Sequence, residues 1–159
     1  MIAIAKHAPS FPSTKGQRFP VEIPSPDEMQ FILSKCSQRA PTGLRNRALF
    51  VVLYKAALRI SEALSLTPKD LSLEGEKPAI TVLCGKGGKR RVVPLGFGTV
   101  AVIQQWLDRR KVLGFNGRHR LFTTLEGKPV SGAYVRRLCK RLAEKTKYEK
   151  RFHPHCMRH

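Results

Sequence analysis

Residues 48–62 read Ala48-Leu49-Phe50-Val51-Val52-Leu53-Tyr54-Lys55-Ala56-Ala57-Leu58-Arg59-Ile60-Ser61-Glu62. The first six side chains are apolar on nearly every side of a helix, which predicts a buried central helix beginning near Thr42. Arg59, Ser61 and Glu62 interrupt the apolar region just beyond it. An arginine directly after a buried helix is costly unless it is paired or reaches an anion. Glu62, three residues on, is close enough to orient the guanidinium, so the stretch fits either an internal Arg–Glu pair or an arginine presented to an anionic ligand.

Working outward towards the N-terminus, Ser25-Pro26-Asp27-Glu28 has the form of a helix start. Ser25 can cap, Pro26 suits the first helical position and Glu28 completes a capping box. Met29, Ile32, Leu33 and Cys36 follow at helical spacing. Residues 1–24, with Pro9, Pro12, Pro20 and Pro24, read as a flexible tail or interdomain linker, which leaves 25–159 as the domain.

Towards the C-terminus, Pro68 and Asp70 mark a turn. Ala79–Leu83 and Arg90–Pro94 read as paired strands around a Gly85-Lys86-Gly87-Gly88-Lys89 tip, where glycine permits positive φ. A helix is predicted from about Thr99 to Leu113, its core face Val100, Ile103, Leu107 and part of Trp106. Leu121–Thr123 reads as a short strand. Ser131 is placed to cap a helix reaching about Lys145, with the apolar stripe Val135, Leu138, Cys139 and Leu142. The last segment, from Phe152, reads as a helix beginning at Pro154. Helices, a hairpin, then more helices give an α+β class, mainly α, with a small antiparallel sheet on one side.

The 159 residues carry 30 Lys+Arg against 11 Asp+Glu, a formal net charge of +19. That imbalance points to a polyanionic partner, with nucleic acid ahead of a membrane surface. Cys36, Cys84, Cys139 and Cys156 form no CxxC pair, which argues against a zinc ribbon. No secretory signal is evident and no apolar run is long enough to span a bilayer, so a cytoplasmic, reducing setting is expected.

Three further features bear on chemistry. Lys86 sits in a Gly-Lys-Gly turn, but a strand follows and no Ser or Thr succeeds the lysine, which argues against a P-loop. The tip is either a solvated turn or a lysine aimed at a nucleic-acid groove. His155 and Arg158 lie three apart, so on a helix the imidazole and guanidinium reach one phosphate. A metal site from His153, His155, Cys156 and His159 is disfavoured by the surrounding positive charge. Arg136, Arg137, Lys140 and Arg141 make one broad cationic stripe on the helix after Ser131, either a solvated surface or a DNA contact.

Taken in order, Arg59-x-Ser61-Glu62, the Gly85-Lys86-Gly87 hairpin followed by Val92-Val93-Pro94-Leu95, and His155-x-x-Arg158-His159 resemble the catalytic domain of the tyrosine recombinase (phage integrase) family over about residues 25–159. The resemblance implies that Arg59 and Arg158 bind the reacting phosphate, Lys86 is the general acid on the leaving 5′ oxygen, and His155 assists proton transfer. Glu62 and His159 take supporting places, and Lys89, Arg90, Arg91 and the 136–141 stripe contact double-stranded DNA. It further implies chemistry through a 3′-phosphotyrosine without metal or nucleotide cofactor, other recombinase protomers as partners, and a nucleoid-associated location. Two guanidinium forks suit the charge that builds on non-bridging oxygens, each preorganised donor contributing about 3–4 kcal/mol in the transition state.

The family's tyrosine follows His-x-x-Arg, whereas Tyr54, Tyr134 and Tyr148 all precede it. The chain is therefore expected to be a truncated catalytic domain that binds DNA without cleaving it alone, and to self-associate through apolar surface that missing helices would cover. Ala57 stands where many members have glycine, a change expected to be tolerated. The alternative reading is a non-catalytic DNA-binding module or regulator on the same scaffold. A type IB topoisomerase fragment fits less well with the compact hairpin, and an RNA-binding protein would need an aromatic platform absent here.

Overall fold

A computed structural model describes residues 22–83 and 89–158. The Gly-Lys-Gly tip with Lys86, most of the 1–24 segment, Cys84 and His159 lie outside the described residues. Among those described, the elements run α1 (Pro26–Ser34), α2 (Pro41–Lys55), α3 (Ile60–Ser65), β1 (Leu71–Ser72), β2 (Ala79–Leu83), β3 (Arg90–Pro94), α4 (Phe97–Val112) and α5 (Gly132–Thr146). Short 3-10 turns occupy Pro68–Asp70 and Pro154–Met157.

The capping box at α1 forms as the sequence predicts. Ser25 Oγ accepts from the Glu28 N–H at 3.2 Å, and Glu28 Oε2 accepts from the Ser25 N–H at 2.7 Å. Beyond α1 the chain turns sharply into α2. A Cβ on Gly43 would lie 2.2 Å from the Ser37 carbonyl oxygen, so only glycine permits this approach. α2 is the central helix: Ala48 through Leu53 are all buried. It packs against α4, α3 and the Pro154–Met157 turn.

α2 also carries a buried charge that the apolar pattern conceals. Arg45 is 3% exposed, and its guanidinium donates to the Thr123 carbonyl (3.0 Å), Asn46 Oδ1 (3.0 and 3.2 Å) and Tyr134 Oη (2.6 Å). Neutral oxygens thus satisfy the cation and tie α2 to α5 and to the segment before it.

The sheet is antiparallel, in the order β1-β2-β3, with Leu83 opposite Arg90 and Ala79 opposite Pro94. The two predicted strands have the boundaries read from sequence. β1 was not anticipated, because two residues carry no period. Alternation along β3 leaves Arg90, Val92 and Pro94 outward while Arg91 and Val93 face the domain.

α4 begins two residues before the expected start. Trp106 and Ile103 are wholly buried, whereas Val100 and Leu107 are only half-buried. The indole can be taken in completely because its Nε1–H donates to the Leu121 carbonyl at 2.8 Å. Leu121–Thr123 is not a strand. Its one ladder contact is an isolated bridge from Thr123 to Pro129, although Leu121 and Phe122 are fully buried. α5 matches expectation closely: Ser131 Oγ caps the Tyr134 N–H at 3.2 Å, and Val135, Leu138, Cys139 and Leu142 are buried.

The chain leaves α2 through Ala57, which takes a left-handed backbone with φ 50°. A side chain at such a position costs about 1–2 kcal/mol, and glycine recovers part of this after its larger entropy loss. Ala57→Gly should therefore stabilise the fold by about 0.5–1 kcal/mol and raise Tm by about 1–4 °C. A thermal unfolding curve with unchanged or lower Tm would contradict this account of the turn.

Candidate active site

The left-handed turn at Ala57 delivers Arg59 to the N-cap of α3, with extended backbone (ψ 149°). Sequence reasoning ran the apolar region straight into Arg59; the structure instead starts a new six-residue helix at Ile60. This places Glu62 one turn inside α3, where it accepts from the Arg59 N–H through Oε2 (2.8 Å) and from Arg59 Nη1 through Oε1 (3.1 Å). Arg91 of β3 reaches the same carboxylate from across the hairpin. Its Nη1 donates to Oε1 at 2.9 Å and its Nη2 to Oε2 at 2.8 Å, a bidentate fork.

One carboxylate serves two guanidinium groups. Glu62 is nearly enclosed, with 8% of its side chain exposed, whereas the Arg59 side chain is 54% exposed. The Arg91 guanidinium, and after it the Arg59 N–H, hold the Glu62 carboxyl down at about 2, against burial acting in the opposite direction. Arg59 is thus paired, and more than half of its side chain still lies at the surface. The three groups sum to one positive charge, which leaves the cluster suited to an anion. Arg91, one of the residues read from sequence as a DNA contact, braces Arg59 through Glu62.

The other candidate residues are distributed as follows. Lys89 and Arg90 are exposed at the foot of the hairpin tip. His155 is exposed and Arg158 partly buried, on either side of the buried Cys156 and Met157. Their segment is a single 3-10 turn, not the longer helix expected, so a helix-dipole contribution there is slight. The Cys156 thiol holds this turn, donating to the His153 carbonyl (2.8 Å) and accepting its N–H (3.4 Å).

On α5, Arg136, Arg137, Lys140 and Arg141 are all exposed along one broad arc of the helix. Arg136 lies over Gly132 beside Ile60, in a cavity that His155 also lines. Arg141 faces a hollow of about 170 Å³ shared with Lys35 and Lys145. Lys140 is within 4.0 Å of the exposed Glu144. Sequence reasoning missed Arg151 and weighed His153 only as a metal ligand; both line the His155 cavity. The run of basic and imidazole side chains around His155 was the available signal.

Among the described residues no group of three or more His, Cys, Asp or Glu side chains could hold a metal. Cys36, Cys139 and Cys156 are free thiols, and burial pushes Cys139 up to about 12. No helix of the described residues is long and apolar enough to cross a membrane.

The family model for the phage integrase family matches residues 24–159. The chain belongs to the phage integrase family. Similar members include the tyrosine recombinase XerC of Xanthomonas axonopodis pv. citri, 36% identical over 120 residues, which cover 76% of this chain and 37% of that protein. The XerC of Pelobacter propionicus is 32% identical over 145 residues, covering 91% of this chain and 46% of that one. The chain therefore spans less than half the length of these integrase-family relatives.

Among solved structures, the XerA recombinase superposes with a TM-score of 0.73 at 26% identity, covering 91% of this chain and 50% of that chain. The XerH site-specific recombinase, in a pre-cleavage complex with its difH substrate, gives a TM-score of 0.72 at 25% identity, covering 89% and 41%. The mainly helical fold with a small antiparallel sheet is that of the integrase-family catalytic domain.

The depressed Glu62 titration has a definite sign. Its folded pKa lies below the ordinary value of 4.5, so its stabilisation is full above that pH and is lost as pH falls towards about 2. Glu62→Gln should cost about 3 kcal/mol at neutral pH by breaking a buried ion pair. It should also flatten the pH dependence of unfolding between 4.5 and 2 relative to the wild type. Urea midpoints measured across that window check both, and parallel wild-type and variant curves would remove Glu62 from this role.

Proposed function

We propose that the chain is the DNA-binding and phosphate-holding part of a site-specific tyrosine recombinase. Such a recombinase acts on DNA phosphodiesters through a 3′-phosphotyrosine, a step this chain is proposed not to complete alone. The observation that carries this reading is Arg59, half-exposed and locked by a buried carboxylate that Arg91 shares. A guanidinium fixed before substrate arrives stabilises developing phosphate charge without reorganising in the transition state. Arg158 supplies the second fork, Lys86 protonates the departing 5′ oxygen and His155 assists proton transfer. Lys89, Arg90, Arg91 and the α5 cations hold the flanking backbone of double-stranded DNA. Residues 1–24 form a tail or linker, and 25–159 the catalytic domain.

The nucleophile is not one of the chain's three tyrosines. Tyr54 Oη donates to the Pro24 carbonyl at 3.1 Å. Tyr134 Oη sits 2.6 Å from the Arg45 guanidinium. Tyr148 Oη contacts Glu28 at 3.4 Å. Each hydroxyl has a structural partner on an element that carries none of the phosphate-binding candidates. The 159 residues are accordingly proposed to bind DNA without forming a covalent adduct by themselves.

Other protomers are the proposed protein partners. Exposed Val112, Phe97, Val92 and Leu83 favour self-association. The proposed location is the cytoplasm, at the nucleoid. A non-catalytic regulator on the same scaffold is the second reading; the free hydroxyl-independent phosphate site at Arg59 would serve it equally well.

Duplex DNA affinity should fall steeply with salt, and Arg136→Ala or Lys140→Ala should each lower the slope of log K against log salt by about 0.9 while leaving the fold intact. Fluorescence anisotropy over a salt series measures this, and an unchanged slope would take α5 off the DNA. Incubation with a nicked suicide duplex should yield no covalent adduct; a protein–DNA band surviving detergent would overturn the assignment of the tyrosines.

A further inference from the structure

Beside Arg59 lies a cavity of about 300 Å³ lined by Ile60, Arg136, Arg151, His153, Pro154 and His155. Ile60 is the residue after Arg59, and His155 belongs to the candidate catalytic set. Arg151 and His153 have so far been given no role. Four of the six lining side chains are arginine or histidine and none is acidic.

No carboxylate among the described residues pairs with Arg136 or Arg151; the ion pairs there engage Arg59, Arg91, Lys140 and Lys150. The His153 and His155 rings meet edge-on with centroids 6.1 Å apart. Burial, and then the charges of Arg151 and His155, hold the His153 imidazole below its ordinary pKa. Like charges gathered in one concave place without a counter-charge repel one another, and an anion entering would relieve that repulsion. The walls are also built to hold position. Pro154 fixes its own φ, and the Cys156 thiol bonds both backbone groups of His153.

We propose that this cavity is a second phosphate subsite. It takes the DNA backbone phosphate next to the one held by Arg59, with Arg136 and Arg151 supplying charge and His153 a hydrogen bond. The subsite rests on the DNA-binding reading above. Its consequence is that register on the duplex is set by the segment before His155 as well as by α5, since backbone contacts fix position while carrying no base information.

The test compares wild type, Arg151→Gln, His153→Gln and Arg118→Gln on a fluorescent duplex over a salt series, with thermal unfolding of each to confirm folding. Arg118 is an exposed cation outside the cavity and controls for simple loss of charge. Arg151→Gln should weaken binding and lower the salt slope by about 0.9. His153→Gln should weaken binding about 2–10-fold, the worth of one hydrogen bond. Arg118→Gln should change neither quantity. If the wild type binds and both cavity variants match Arg118→Gln, the subsite is refuted and the DNA reading survives. If the wild-type chain binds no duplex at all, the DNA reading falls and takes the subsite with it.

Discussion

The Glu62 carboxylate is the point on which the arrangement turns. It is buried, it has two guanidinium partners, and they come from different parts of the chain: one from the start of α3, the other from near the start of β3. A buried carboxylate with no partner would be expelled or neutralised. With Arg91 alone it would be an interior ion pair of no chemical interest. With both, it converts the flexible side chain of Arg59 into an oriented one while leaving more than half of that side chain in solvent. The price is paid in desolvation of Glu62, and the return is a cation that does not have to be organised when a phosphate arrives.

Everything nearby serves to put these groups in place. The left-handed residue at Ala57 breaks α2 from α3, so Arg59 becomes an N-cap with an extended backbone instead of a residue wrapped into a continuing helix. The all-round burial of α2 fixes where that break occurs. The buried Arg45, held by neutral oxygens of Asn46, Thr123 and Tyr134, ties α5 to the same helix. α5 in turn brings Arg136 alongside Ile60. The positive charge of the chain is thus not spread evenly: some arginines are interior struts, and others are directed outward.

That division marks the limit of what could be read from the sequence. The capping box at Ser25, the central helix, both long strands and the stripe of α5 were legible because each rests on local spacing or periodicity. The family was legible because its motifs stand in order along one chain. Arg45 and Arg110 were not recognisable as buried, since a basic residue carries no mark of whether carbonyl oxygens await it. Arg110 is enclosed by the carbonyls of Asn116, His119 and Arg120, a loop whose path no periodicity predicts. Arg91 was grouped with its exposed neighbours because only strand alternation and a partner 29 residues away separate it from Arg90. The short α3 was missed because six residues hold less than two turns of pattern.

The alternation along β3 has a consequence for how this hairpin can vary. The ladder pairs Ala79 with Pro94 and Leu83 with Arg90, so its register decides which face each side chain of β3 takes. A frameshift of one residue within the ladder would turn Arg91 outward and present Arg90 or Val92 to the carboxylate, uncoupling the sheet from α3 in a single step.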